Sequence, residues 1–295
     1  MIEDDRMELE QLYHDYKSSL FGLAYRMLGS VTEAEDIIHD VFLNLHQSDL
    51  EKINHVKTYL VKMVTNRCIN VLNSARHQKE QYIGPWLPEP LMKDLGKAPD
   101  FVAEEKEMIS YAFLVLLQYL SPVERAVFIL REVLSFEYDE ISKIIHKTEV
   151  NCRKIYSRAR KKLPEKQPSV SSQESGNKQL ADAFIHCLQT GNFKPFLHLM
   201  LEDARITTDG GGKVRAAIKP IEGRYNILAL LEGIYRKGEL RGELSTVQLN
   251  GEIGLLLTKR NKIVLSICFE FDPIHSGIKN IYMVANPEKL KHLSL

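Results

Sequence analysis

The chain has 295 residues, 44% of them hydrophobic, with 39 Lys/Arg against 39 Asp/Glu and therefore no formal net charge. That supplies two or three domains with real cores, and the neutral total conceals opposed fields: residues 33–51 hold six acids and no Lys or Arg, residues 143–166 nine Lys/Arg and two Glu. Cys68, Cys152, Cys187 and Cys268 form no CxxC pair or zinc-ligand spacing, and no apolar run is long enough to span a bilayer, which excludes a zinc module and membrane insertion. The acidic N-terminus runs directly into an amphipathic pattern with no signal peptide, so the expected location is the cytoplasm and the expected cysteines are ordinary buried thiols.

From about residue 5 to 80, apolar residues recur at helical spacing. LFGLAYRMLGS ends on Gly29, a helix stop, and VTEAEDIIHDVFLNL opens the next helix with Thr32 and Glu35 at capping-box spacing. Ala34, Ile37, Ile38, Val41, Phe42 and Leu45 make its apolar stripe; Glu33, Asp36 and Asp40 lie opposite, either a solvated face or a protein-binding one. HVKTYLVKMVTNRCINVLNSARHQK reverses the sign. Val56, Tyr59, Leu60, Met63, Val64, Ile69 and Leu72 fit a core, while Lys57, Lys62, Arg67, Arg76 and Lys79 are cationic. Asn66, Asn70 and Asn73 weaken a helix, but an amide can hydrogen-bond base edges while neighbouring cations hold phosphate.

Residues 81–101 read as a linker, IGPWLPEPLMKDLGKAP, yet hold the only tryptophan, Trp86, beside Pro85, Pro88 and Pro90. An indole where prolines forbid a helix implies a receiving surface. Helical periodicity resumes over 102–164, with Ser121 as N-cap and Pro122 at the first helical position. FEYDEISKIIHKTEVNCRKIYSRARKKL has the outline of a helix-turn-helix. Ile141, Ile144 and Ile145 pack, HKT turns, Thr148 caps, and Cys152, Ile155, Tyr156 and Ala159 face inward. Arg153, Lys154, Arg158, Arg160 and Lys161 are left outside for DNA phosphate and base edges. Residues 165–177 form a Ser- and Gln-rich linker, and 178–295 a further domain of helices followed by strands, with turns at Asn250-Gly251 and Arg260-Asn261. Helices before an antiparallel or mixed sheet indicate an α+β cone.

LFGLAYRMLGSVTEAEDIIHDVFLNL and EYDEISKIIHKTEVNCRKIYSRARKKL together resemble the sigma-70 family of bacterial initiation factors, in its extracytoplasmic-function (ECF) class, over about residues 8–163. The tail, through WLPEP at 86–90, DGGGKVRAAIKPIEG at 209–223 and NPEKL at 286–290, is similar to the subgroup with a fused SnoaL-like, NTF2-like domain. The fold class implied is multidomain: two all-α sigma domains, the second a helix-turn-helix, then an α+β cone. The resemblance implies that Glu35, Asp36 and Asp40 dock the clamp helices of core RNA polymerase. Asn66, Arg67, Asn70, Asn73 and Arg76 then read the −10 promoter element, and Arg153, Lys154, Arg158, Arg160 and Lys161 the −35 element. The polymerase flap engages other faces of the second domain. His146 stands where the family favours glycine, Glu137 replaces a Ser-like cap, and Ile155 replaces a frequently basic position.

An interdomain or regulatory set is expected in Trp86, Leu87 and Pro88, Asp209 to Gly212 (Gly210 and Gly211 between them), Asn286 and Pro287. Either the extended strip carries Trp86 and Leu87 to the DGGGK surface, or Trp86 packs on its own domain. The glycines make either an anion nest or a tight turn that Asp209 caps. No metal motif, catalytic triad or cofactor signature is present, so the expectation is a monomeric, cofactor-free initiation factor binding core polymerase and promoter DNA, and no enzyme. Asp209, Asp272 and His275 are the titratable groups a cone enzyme would use. The alternative is a ligand-responsive one-component transcription regulator, which leaves the acidic helix without a role.

Overall fold

The computed structural model describes residues 2–46, 53, 55–80, 82–92, 109–163, 174–272 and 274–294. They fall into two units. The first takes residues up to 80 and from 114 to 163, and the second takes 82–92, 109–113 and everything from 174.

In the first unit, α1 (Ile2–Leu28) stops at Gly29, whose φ of 71° lets its N–H reach the Tyr25 carbonyl at 2.7 Å. Helix α2 (Val31–His46) buries Val31, Ala34, Ile37, Ile38, Val41, Phe42 and Leu45 against α1 and α3 (Val56–Glu80). Its cap is not Thr32. Because the helix begins at Val31, the oxygen placed to accept from Glu33 N–H is the Ser30 hydroxyl, at 3.2 Å, two residues earlier than the spacing of Thr32 and Glu35 suggested. In α3, Leu60, Val61, Val64 and Cys68 are buried, whereas Tyr59, Met63, Ile69 and Leu72 are half-buried.

Helices α4 (Tyr111–Leu117), α5 (Pro122–Phe128), α6 (Tyr138–Ile145) and α7 (Glu149–Lys162) follow, with a π-turn at Ile129–Val133 extending α5. Ser121 and Glu124 form a reciprocal capping box at α5, and the Thr148 hydroxyl accepts from Asn151 N–H at α7. Glu137 caps α6 with its own box to Glu140, and His146 closes α6 at φ 53°, the left-handed position where glycine is absent. Helices α5 and α6 pack on α3. Arg125 ties them further: its buried guanidinium donates to the Met27 carbonyl on α1, and burial lowers its pKa to about 10, leaving it charged.

The second unit is a six-stranded mixed sheet, β1 (Met200–Asp209), β2 (Ile221–Glu222), β3 (Glu243–Leu249), β4 (Glu252–Lys259), β5 (Lys262–Asp272) and β6 (Gly277–Val284). The order is β2-β1-β6-β5-β4-β3, with only β1–β6 parallel. Helix α8 (Glu174–Thr190) starts inside the stretch read as linker and packs on β4 and β5. The short α9 (Lys194–Leu197) follows it, and α10 (Arg224–Arg236) packs on β1. Phe184, Phe193, Phe196, Leu231, Leu255, Ile267, Phe269 and Ile281 fill the core between helices and sheet. Strand alternation sends Glu252, Cys268, Glu270 and Tyr282 away from this core, yet all are buried. Residues 82–92 and 109–113 lie along the sheet: Met92 bridges Leu249, Asn250 exchanges two hydrogen bonds with Leu91 (2.7 and 3.0 Å), and the Tyr111 ring sits 5.6 Å from that of Tyr282. The four cysteines are buried and unpaired with one another, and no helix among the described residues is long and apolar enough to cross a membrane.

Candidate functional site

Four groups of expected residues can be located. On α2, Asp36 and Asp40 are exposed and Glu35 is half-buried. Asp40 is not alone: Arg67 on α3 donates to its carboxylate at 2.8 Å. The expected polymerase-binding acid and the expected −10 arginine thus neutralise each other in this conformation. The pair is half-exposed, which keeps it weak and separable.

Along α3, Asn70 and Asn73 are exposed. Asn66 is engaged. Its amide donates to Lys62 O at 2.9 Å and, across to the helix-turn-helix, to Ile144 O at 3.0 Å near the end of α6. The side chain of Arg76 lies outside the described residues.

On α7, Cys152, Ile155 and Ala159 are buried, while Arg153, Lys154, Arg158 and Lys161 are exposed and Arg160 is half-buried. Tyr156 faces neither side cleanly. It is half-buried, stacks 6.3 Å from Phe128, and donates its hydroxyl to Glu132; burial and that carboxylate push it up to about 12. Arg153 lies 4.4 Å over the Tyr138 ring and 3.6 Å from Glu149, so the basic row starts on an aromatic platform.

In the second unit the structure brings together Leu87, Asp209, Gly211 and Asn286. Asp209 ends β1 fully buried. One of its oxygens accepts from Tyr82 O–H at 2.5 Å and Gly211 N–H at 3.0 Å; the other accepts from Leu87 N–H at 2.8 Å and the Lys289 ammonium at 2.7 Å. Lys289 also donates to Leu87 O and lies 3.9 Å over the Trp86 ring, and Asn286 donates to Tyr82 at 2.9 Å. Every polar atom of this buried ion pair named here has a partner, the condition under which burial of two charges is tolerated. Burial, then the Asp209 carboxylate, raises the Tyr82 phenol.

The glycines form a tight turn that Asp209 caps. Gly211 and Gly212 have φ of 59° and 70°, and a Cβ on Gly211 would fall 2.2 Å from Asn286 Nδ2. Leu87 and Pro88 are buried, Trp86 is half-buried, and Pro287 starts the short helix α11 (Pro287–Leu290) after the Asn286 cap. Tyr82 and Lys289, which complete the node, were not singled out in the sequence; Lys289 lay within NPEKL, and Tyr82 just ahead of the proline-rich stretch. Asp272 and His275 pair with each other at 3.0 Å in the β5–β6 turn, and the His275 contact lowers the Asp272 carboxyl. None of the three groups considered for catalysis lines the cavity of the cone.

Residues 12–78 match Sigma-70 region 2, and residues 110–163 match Sigma-70, region 4. The chain belongs to the sigma-70 family, in its ECF branch. This sigma factor is 26% identical over 252 residues, 84% of its own chain and 80% of the relative, to the ECF RNA polymerase sigma factor SigJ of Mycobacterium tuberculosis. Against the ECF sigma factor SigM of Bacillus subtilis it is 27% identical over 164 residues, 53% of this chain and 93% of the relative. The crystal structure of M. tuberculosis SigJ has a TM-score of 0.75 at 22% identity, covering 95% of this chain and 98% of that one, which shows a shared fold through the C-terminal cone. The fold is that of sigma regions 2 and 4 followed by an α+β domain built on a mixed sheet. Factors of this family perform no bond-making step.

Proposed function

We propose that this sigma factor docks core polymerase at its clamp helices through Glu35, Asp36 and Asp40 and reads the −10 element with Asn66, Arg67, Asn70, Asn73 and Arg76. Arg153, Lys154, Arg158, Arg160 and Lys161 on α7 read the −35 element, while the flap engages other faces of the second helical module. Residues 1–80 and 102–164 form the two promoter-reading modules, joined by 81–101. Residues 178–295, after the 165–177 connection, form a regulatory domain acting in cis in a monomeric cytoplasmic protein. Trp86, Leu87, Pro88, Asp209–Gly212, Asn286 and Pro287 are the residues through which that domain grips the segment between the modules.

The observation that carries the reading is the division of labour over three helices: carboxylates on α2, amides and cations on α3, and a basic row on α7 set behind a short, capped turn. Cations on α7 supply affinity by releasing counterions from phosphate. Unstacked bases captured by the α3 amides offset an unpairing cost of a few kcal/mol per step. Asn66 and Arg67 are occupied by Ile144 O and Asp40, so engagement of promoter requires both contacts to open.

Asn70 and Asn73 give the cleanest test, because both are exposed and alanine favours a helix more than asparagine does. Asn70→Ala/Asn73→Ala should keep the thermal midpoint and lower promoter-specific transcription about tenfold or more, as expected for loss of two base contacts of about 1 kcal/mol or more each. Full activity in the double variant would remove α3 as the base reader.

A further inference from the structure

The cone contains a cavity of about 650 Å³, a volume that suits a small organic ligand. Its interior is apolar, with Leu230, Ile234, Leu257, Leu265 and Met283 among the lining residues. Its charged lining groups are cationic in excess: Arg215, Lys237 and Lys259 against Glu239 alone. Arg215, Lys237 and Glu239 are exposed, and Lys259 is held at the mouth by donating to Glu239 O at 2.7 Å. An apolar chamber with a cationic rim selects one class of molecule, an apolar body with a single anionic head.

One wall of the chamber is the stretch Val214–Ala217. It continues directly from the turn that grips the linker strap. Lys213 and Val214 N–H both return to Gly210 O (3.0 and 3.2 Å), and Thr208 pins Ala217 N–H at 2.8 Å. On its other side the same loop meets the strap: Gly212 lies against Ile83, Gly84 lies against Ala217 and Ile218, and Gly211 N–H shares the Asp209 oxygen with Tyr82. The loop is folded tightly on itself, since a Cβ on Gly210 would lie 2.4 Å from Val214 O.

We propose that the cone binds a small anionic amphiphile, a medium-chain carboxylate in its simplest form, and that loop 209–217 transmits its presence to the strap carrying Trp86. The binding half stands by itself; the transmission half deepens the proposed control in cis.

The full-length protein is titrated with octanoate, decanoate and dodecanoate below micelle formation, and with dodecyltrimethylammonium, by calorimetry and by the emission of Trp86, the sole tryptophan. Affinity should rise about fourfold per added methylene until the chamber is full, with no matching affinity for the cation. Trp86 emission should shift on binding. Lys237→Glu/Lys259→Glu, at the rim, should weaken carboxylate binding about tenfold without lowering the thermal midpoint, and Val264→Phe, which fills the chamber, should shorten the preferred chain. Absence of carboxylate binding, equal affinity for the cation, or undiminished binding in the charge-reversed protein would overturn the ligand assignment. Tight binding with no change at Trp86 would overturn the transmission step. Loss of tail-dependent transcription control with binding intact would count against the proposed regulation in cis instead.

Discussion

At the scale of single residues, two buried groups define what the second unit can tolerate. Lys289 neutralises Asp209, caps Leu87 O and covers Trp86. Lys289→Met leaves a buried carboxylate unpaired, so thermal or urea unfolding of this unit should lose about 3–5 kcal/mol, with Trp86 emission shifted towards that of a hydrated indole. Asp209→Asn added to Lys289→Met should recover part of the loss; no loss in the single variant would mean the pair does not hold the strap. Glu252 is the second group. It is buried at the start of β4 with one carboxyl oxygen unpartnered, and burial, then the charge of Glu270, pushes it up to about 8. Between its ordinary value and 8 the folded unit keeps a proton that the unfolded chain has released. Stability therefore falls as pH rises through that window, by up to about 1.4 kcal/mol per pH unit, and levels off above it. Glu252→Gln removes the titration, so its midpoint should fall less than that of the parent between pH 5 and 8. Parallel curves would contradict the assignment.

At the scale of elements, what the sequence disclosed follows from how local each interaction is. The caps at Ser121 and Thr148, the stop at Gly29 and the turns at Asn250-Gly251 and Arg260-Asn261 depend on neighbours within a few residues, and each was legible. The α2 cap was misplaced by two residues because Thr32 and Ser30 both stand three positions before a glutamate, and only the helix start decides between them. Apart from the local cap of the Gly211 turn, the Asp209 node was beyond periodicity: the other contacts of Asp209 join residues 80 to 127 positions apart, and Asn286 reaches Tyr82 over 204. Burial of Arg125 is likewise a tertiary matter, invisible in PVERAVF. The helix-turn-helix offers its own test. His146 holds φ 53° where a side chain is disfavoured by about 1 kcal/mol or more, so His146→Gly should raise the midpoint of the first unit by a few degrees. On α7, Arg158→Ala and Lys161→Ala should each reduce the salt slope of promoter binding by about 1, with little change in sequence preference. An unchanged slope would take those cations off the phosphates.

At the scale of the whole molecule, the chain is a sigma factor whose C-terminal domain is proposed to act as its own regulator. In the helical unit, two of the residues proposed to read promoter are engaged, Asn66 on Ile144 O and Arg67 on Asp40, and on that proposal polymerase and DNA displace both contacts. The segment between the sigma regions is secured elsewhere, by a buried charge pair and a row of backbone hydrogen bonds in the sheet unit. On the proposed control in cis, a change in the cone alters the hold on that segment. The most direct measurement is run-off transcription from a cognate promoter, selected from genomic fragments by the polymerase complex, using bacterial core enzyme freed of its own specificity factor. Intact protein should yield RNA with one defined start, and protein ending before Asn286 should yield a different amount from that start. Core enzyme that gains no promoter-specific transcription from well-folded intact protein would contradict the account.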